Sequence, residues 1–160
     1  MATITTFQEY NSSSSSFDVA TNLNFGSTKS ANLNTQLYPI LANSYSYEKW
    51  IKVKFDGIFT TVSDVKFYKS AGSYVTGEQI NFTGEETTWA TPINTVSTVA
   101  TTSLPISEPA SANVSIGGNL AGTLATGETT DFIVIQSSID ANASAGAVNE
   151  KTFTLYWLEN

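Results

Sequence analysis

The chain has no cysteine, no histidine and no arginine. Without cysteine there is no disulfide, no thiolate metal site and no thiol nucleophile. Without histidine the common acyl-transfer triads, zinc hydrolase centres and most proton shuttles cannot be assembled. Charge is scarce too: 13% of the residues are charged, about half the usual share, and Ser, Thr and Asn fill the gap. Seven lysines against fourteen acids leave a formal net charge of −7. Such a surface repels a phosphate backbone, so no nucleic-acid partner is expected. No window approaches the roughly 18 apolar residues of a membrane span. Met1 to Tyr10 also lacks the basic start and apolar core of a signal peptide. The expectation is a protein made in the cytoplasm, with no membrane partner.

The length of 160 residues suits one domain with a real hydrophobic core. Residues 1–16 end in the run Ser12 to Ser16, which buries no apolar area to offset the entropy of ordering it. They are read as a flexible, extended N-terminal arm, with residues 17–160 as a single domain. Ile4, Phe7 and Tyr10, spaced three apart, are the arm's candidate partner-binding residues.

From Phe17 the pattern turns to period two, the mark of strands with one face on a core. Phe17, Val19 and Thr21 alternate with Asp18, Ala20 and Asn22. In the clearest run, Tyr45, Tyr47, Lys49, Ile51, Val53 and Phe55 share one face, with Trp50, Lys52 and Lys54 on the other. Asp56-Gly57 reads as a hairpin turn, so Tyr45 to Ser70 is expected to form two neighbouring antiparallel strands. Ile80 to Phe82, Thr87 to Thr91 and Val96 to Thr102 are shorter β-prone pieces, punctuated by Pro92, Pro105 and Pro109. Gly117-Gly118 and Gly127 read as turns. Phe132 to Ile139 is apolar enough on both faces for a central strand, and Thr152 to Leu158 alternates again. No stretch carries helical spacing, and no fixed repeat emerges. The fold class expected is all-β: an antiparallel β-sandwich, jelly-roll or Ig-like.

Few residues carry chemistry. A glycosidase needs two carboxylates about 5–9 Å apart, but no acidic pair stands in a distinctive setting, and Glu85-Glu86 would point to opposite faces of a strand. No catalytic residue is assigned, and the function expected is non-enzymatic. Calcium takes only oxygen ligands; Glu128 with Asp131 and Asp56 with Asp64 are the pairs to weigh, yet neither forms a dense acidic loop. No metal or cofactor is assigned. Gly117-Gly118 lacks the Lys-Ser/Thr of a phosphate loop. Lys49, Lys52, Lys54, Lys66 and Lys69 would make a modest basic stripe if β-pairing brought them together, or would simply guard strand edges. Trp50 and Trp157 lie in alternating strands, where Trp is core or interface. Trp89, in a polar setting, is the candidate ligand platform, and it would serve a carbohydrate-binding β-sandwich module.

The block Tyr47-Glu48-Lys49-Trp50-Ile51-Lys52-Val53-Lys54-Phe55-Asp56-Gly57-Ile58-Phe59, followed by Val65-Lys66-Phe67-Tyr68, resembles small virion proteins of tailed bacteriophages. So do Thr130 to Gln136, the Gly146 loop and Thr152 to Trp157. The resemblance implies a capsid decoration, or cement, protein that binds and stabilises the shell of major capsid protein, or else a tail or fibre component. Its location would be the virion, on the capsid surface. The strand aromatics exceed what one small core requires, which points to self-association as a homotrimer.

Overall fold

The computed structural model describes residues 4–117, 124–128, 131–144, 146 and 149–159. Those residues form ten strands and no helix: β1 (Ile4–Asn11), β2 (Ser16–Val19), β3 (Ser44–Tyr45), β4 (Lys49–Phe59) and β5 (Val62–Ala71) come first. β6 (Glu78–Glu86), β7 (Thr102–Ser103), β8 (Leu124–Glu128), β9 (Phe132–Ile139) and β10 (Thr152–Glu159) follow. One sheet runs β2-β1-β4-β9-β6-β7, with β3 on β9 and β8 on β4, and the second is the pair β10-β5. All the pairings are antiparallel. The architecture is the expected all-β sandwich, with very unequal layers.

Alternation in β4 explains the layering. Ile51, Val53 and Phe55 point into the space between the sheets, where they meet Val62, Val65 and Phe67 of β5, Ile80 and Phe82 of β6, and Ile133 and Ile135 of β9. Phe67, fully buried, touches Phe7, Phe82 and Phe153 at ring-centre distances of 6.3, 6.3 and 5.8 Å. Burying such a side chain contributes about 1.5–3 kcal/mol. The opposite face of β4 carries Trp50, which packs with Ala100, Phe132 and Val134 in a second, outer cluster.

Several expectations are corrected. β4 and β5 are not neighbours in one sheet but belong to opposite layers. Asp56-Gly57 is therefore no hairpin turn: the strand continues through it to Phe59. Gly57 takes φ 140°, and the register with β8 slips between Asp56 and Phe59. This is a bulge, which needs the same glycine freedom as a turn. The run from Tyr45 also divides. Ser44 and Tyr45 face Ile139 and Ser138, whereas Lys49 to Ile51 face Ile135 to Ile133, so one extra residue is absorbed at Ser46–Glu48 and the uninterrupted alternation begins at Lys49. Gly127 lies within β8 opposite Phe55 and is no turn, and Gly118 is outside the described residues. Thr87 to Thr91 and Val96 to Thr101 are irregular.

The N-terminal segment is extended, but from Ile4 onward it is no free arm. β1 lies between β2 and β4, with Glu9 opposite Ile51 and Asp18. The serine run is the turn of the β1–β2 hairpin. Asn11, Ser14 and Ser16 donate to the Asp18 carboxylate at 2.7, 2.9 and 2.8 Å, and these bonds hold its pKa below the usual range. Serine stabilises order here because its hydroxyl satisfies local polar groups.

Candidate interaction surface

Glu48, in the bulge between β3 and β4, has a buried carboxylate. It accepts hydrogen bonds from the Trp50 indole at 3.0 Å, the Ile93 amide at 3.3 Å and the Ser97 hydroxyl at 2.6 Å. Gln136, buried in the middle of β9, completes the network. Its Oε1 accepts from the Ser97 amide at 2.9 Å, while its Nε2 donates to the carbonyls of Ser46 at 3.0 Å and Thr95 at 2.8 Å. A polar network in low dielectric fixes geometry when every member is satisfied. Here it clamps the irregular segment 87–101 over the outer face of the large sheet. Replacing Gln136 by Leu orphans an amide and two carbonyls, so the expected loss is about 2–3 kcal/mol in a urea titration; a change under about 0.5 kcal/mol would remove the network from this role.

The clamp determines where Trp89 goes. Its ring lies 4.4 Å from Tyr10, 5.2 Å from Trp50 and 5.7 Å from Phe17, tilted 47°, 73° and 72° to them. Trp89 is 38% exposed while Trp50 beneath it is buried. Trp89 meets its neighbours tilted or edge to face, while Phe17 stacks on Phe132 at 5.7 Å, so the aromatics form a packed outer cluster. Lys52 lies 5.1 Å from the Phe17 ring centre and 5.6 Å from that of Phe132.

The three N-terminal candidates also part company. Residues three apart on a strand face opposite ways, so Phe7 packs into the inter-sheet core and Tyr10 into the outer cluster. The backbone of Ile4 pairs with Asp56, and its side chain lies outside what is described. No common docking face results.

The lysines do not make a stripe. Lys49 points inward and pairs with Glu9 at 2.5 Å, both side chains being 1% exposed. Lys54 meets Asp56 at 3.3 Å. Lys66 sits between Glu108 at 3.0 Å and Asp64 at 3.2 Å; the Glu108 bond, against some desolvation and with Asp64 behind it, holds its pKa above the usual range. Lys69 donates to the Gly72 carbonyl. For the calcium pairs, Asp56 and Asp64 each face a lysine, Asp131 accepts from Ser115, and the Glu128 side chain lies outside what is described. Among the described residues no group of three or more acids is placed to hold a metal.

One surface was not anticipated. No charged residue occurs between Lys29 and Glu48, and none between Glu86 and Glu108. The fold joins these stretches, because Gln136 bonds the carbonyls of both Ser46 and Ile93 and the Glu48 amide donates to Ile93 at 2.9 Å. At this end, Asn34 closes a turn by accepting from the amides of Leu37 and Tyr38 and, through its side chain, from Gln36 at 2.9 Å. The turn presents Leu37 at 69% exposure, and Leu41 beyond it is 71% exposed. Tyr38, Tyr45, Ile93 and Val96 are exposed as well. Beside Leu41 opens a cleft of about 860 Å³, lined by Phe25, Ile40, Val75, Ile139 and Ala143 among others, none of them charged. Charge depletion together with exposed apolar and aromatic side chains is the composition found at the centre of protein interfaces.

No protein-family model, no curated protein and no solved structure matches the chain.

Proposed function

We propose that the chain is a non-enzymatic structural subunit of a tailed-phage particle, a capsid decoration protein that binds the major capsid protein shell and stabilises it. The observation that carries the reading is the uncharged stretch between Lys29 and Glu48, where Leu37, Tyr38 and Leu41 stand exposed beside a cleft with no charged residue in its lining, on an all-β body. Such a surface suits contact with another protein far better than turnover of a small polar substrate. A subunit that binds only the assembled shell shifts the equilibrium toward it by mass action. The resemblance of the Tyr47 to Phe59 and Thr152 to Trp157 blocks to small virion proteins adds the phage context, and trimeric self-association belongs to the same reading.

The test is cosedimentation of the purified protein with shells from its own source, at two salt concentrations. Saturation at a lattice-repeat ratio, little affected by salt, is the expected result. An absence of binding to shells would sink the decoration role. Binding to tail structures would relocate the subunit within the particle, and binding to a glycan array, lost in Trp89→Ala, would replace the reading with a carbohydrate-binding module.

A further inference from the structure

We infer that β10 is a docking edge for a second copy of this chain, whose own β10 adds to it antiparallel. The two-stranded β10-β5 sheet then becomes a continuous four-stranded sheet across two subunits. This goes beyond the shell-binding reading and does not depend on it.

The two sides of this small sheet differ. On its far side β5 is covered: the Lys69 amide donates to the Pro105 carbonyl at 2.8 Å, and the amides of Asn113 and Val114 donate to the Val65 carbonyl. The Asn113 carboxamide stands in for a strand, accepting from the Phe67 amide at 2.8 Å and donating to the Phe67 carbonyl at 2.9 Å. β10 has no such cover. Among the described residues, no backbone bond outside the β5 ladder reaches Thr152–Leu158. Where residues 20–25 approach Thr152 and Phe153, a cleft of about 600 Å³ lies between them. Burial records the consequence: Val65 and Phe67 of β5 are buried, whereas Phe153, Leu155 and Trp157, packed on the same core, are only half-buried.

Nothing in β10 blunts this edge. Natural edges are protected by proline, charge, bulges or shortness, and the large sheet ends in β2 and β7, of four and two residues. Thr152–Leu158 contains no proline, glycine or charge, and its Thr, Phe, Tyr and Trp residues favour strands. Both irregularities in its pairing put the extra residue in β5: Thr152 and Phe153 face Ala71 and Lys69, and Tyr156 and Leu158 face Lys66 and Ser63. β10 itself carries no bulge.

The sequence of the edge also matches itself. An antiparallel copy that uses all of Thr152–Leu158 is centred on Leu155. It sets Phe153 against Trp157 and Leu155 against Leu155 on the core face, with Thr152 against Leu158 and Thr154 against Tyr156 on the other. Aromatic and β-branched cross-strand pairs stabilise a ladder, and the half-buried core face of one subunit continues into that of the next. At the ends, Glu159 falls beside the copy's Lys151, which Glu78 of the same subunit holds at 2.7 Å. The two Glu159 carboxylates stand about 27 Å apart, well past the screening length. Copies of a chain with a net charge of −7 therefore align here without setting acid against acid in the ladder. A foreign strand would need a sequence suited to this edge, and the chain carries one itself. Such a contact is isologous and closes at two subunits, so a trimer would be built on another surface.

The experiment is sedimentation equilibrium of the purified full chain from micromolar to high-micromolar concentration. It compares the parent with Thr152→Lys/Leu158→Lys and with Thr152→Lys/Leu158→Glu. Both side chains are exposed, and this register sets them opposite each other. A dimer is expected for the parent. The Lys/Lys variant, in which like charges face each other twice, should self-associate about tenfold more weakly, and the Lys/Glu variant, with opposite charges in the same places, should stay near the parent. That order runs against net charge, because the first variant lowers the overall repulsion and the second leaves it unchanged. Thermal melts of both should match the parent. Hydrogen exchange on the parent is a readout free of substitutions: protection of the amides in 152–158 that point away from β5 should rise with protein concentration. A parent monomeric throughout, two variants that associate alike, or protection independent of concentration would overturn the inference. Protection that appears only on adding shells would overturn it too, and would make the occupant a strand of the shell.

Discussion

A chain lacking residues 2–16 is expected to be unfolded in isolation. The segment reads in sequence as a flexible arm needed for assembly but not for the fold, yet in the structure it supplies β1, paired on both sides by β2 and β4. Its loss removes Phe7 from the inter-sheet core and Tyr10 from the outer cluster. It bares the edge of β4 from Ile51 to Asp56 and strands β2. It also leaves the buried Lys49 ammonium without Glu9. An uncompensated buried charge alone costs about 3–5 kcal/mol, and the loss of the half-buried Phe7 and Tyr10 adds to it. A domain of this size has only about 5–15 kcal/mol to lose. Far- and near-ultraviolet circular dichroism with a thermal melt decides it: a cooperative transition near that of the parent would show that β1 is peripheral after all.

What misled the reading of that segment was the weight given to five serines. Out of context they look like a solvated spacer, but with Asp18 two residues past the run they form a hydrogen-bonded turn, and the Thr- and Ile-containing stretch before them is β-prone. Elsewhere, period two was a sound guide. Phe132–Ile139 stands at the centre of the large sheet as its two apolar faces required, and Phe153, Leu155 and Trp157 pack on the core from one side of β10. Asp56-Gly57 was ambiguous for a physical reason: a hairpin turn and a bulge demand the same positive-φ glycine, and only the pairing of Asp56 and Phe59 with β8 separates them. Layer assignment lay beyond local pattern altogether, since nothing in β5 says that its partner is the last strand of the chain.

The interaction surface shows a different gap. Its ingredients, two long stretches without a charged residue in an acidic chain, were present in the sequence. Their meaning depends on Gln136, which is 41 residues beyond Thr95 and 90 beyond Ser46 and yet bonds both. Without that long-range clamp the two stretches are merely polar loops. Trp89 illustrates the converse. Its polar neighbours suggested an exposed side chain, and it is 38% exposed, but nothing local foretold that its ring would also lie against Tyr10 and Trp50 over the outer cluster.

Replacing either member of the Glu9–Lys49 pair is expected to destabilise the protein severely, and replacing both is expected to restore it. The two side chains are 1% exposed, and they meet at 2.5 Å on the inner face of the large sheet; Lys49 also donates to the Ser30 carbonyl at 3.2 Å. Oε2 of Glu9 has no hydrogen-bond partner among the described residues. Desolvation thus opposes the pair, and Lys49→Ala or Glu9→Ala, by abandoning one charge in the interior, should cost about 3–5 kcal/mol. A Glu9→Leu/Lys49→Met chain removes both charges and keeps the volume, so it should fall within about 1 kcal/mol of the parent or above it. The pH dependence gives an independent check. Burial raises the Glu9 pKa above its ordinary 4.5, and attraction to Lys49 only partly offsets this. A carboxyl with a raised pKa binds its proton more tightly in the folded state. Its contribution to stability is therefore full below pH 4.5 and is lost as pH climbs through the raised value. Asp18 runs the other way, its stabilisation fading only as pH falls below the ordinary aspartate value of 3.8, so the two windows separate. Denaturant titrations between pH 4 and 8 should show the parent losing stability relative to the double variant as pH rises. A flat difference across that range, or single variants as stable as the parent, would mean that water reaches the pair and that it does not hold β1 to β4.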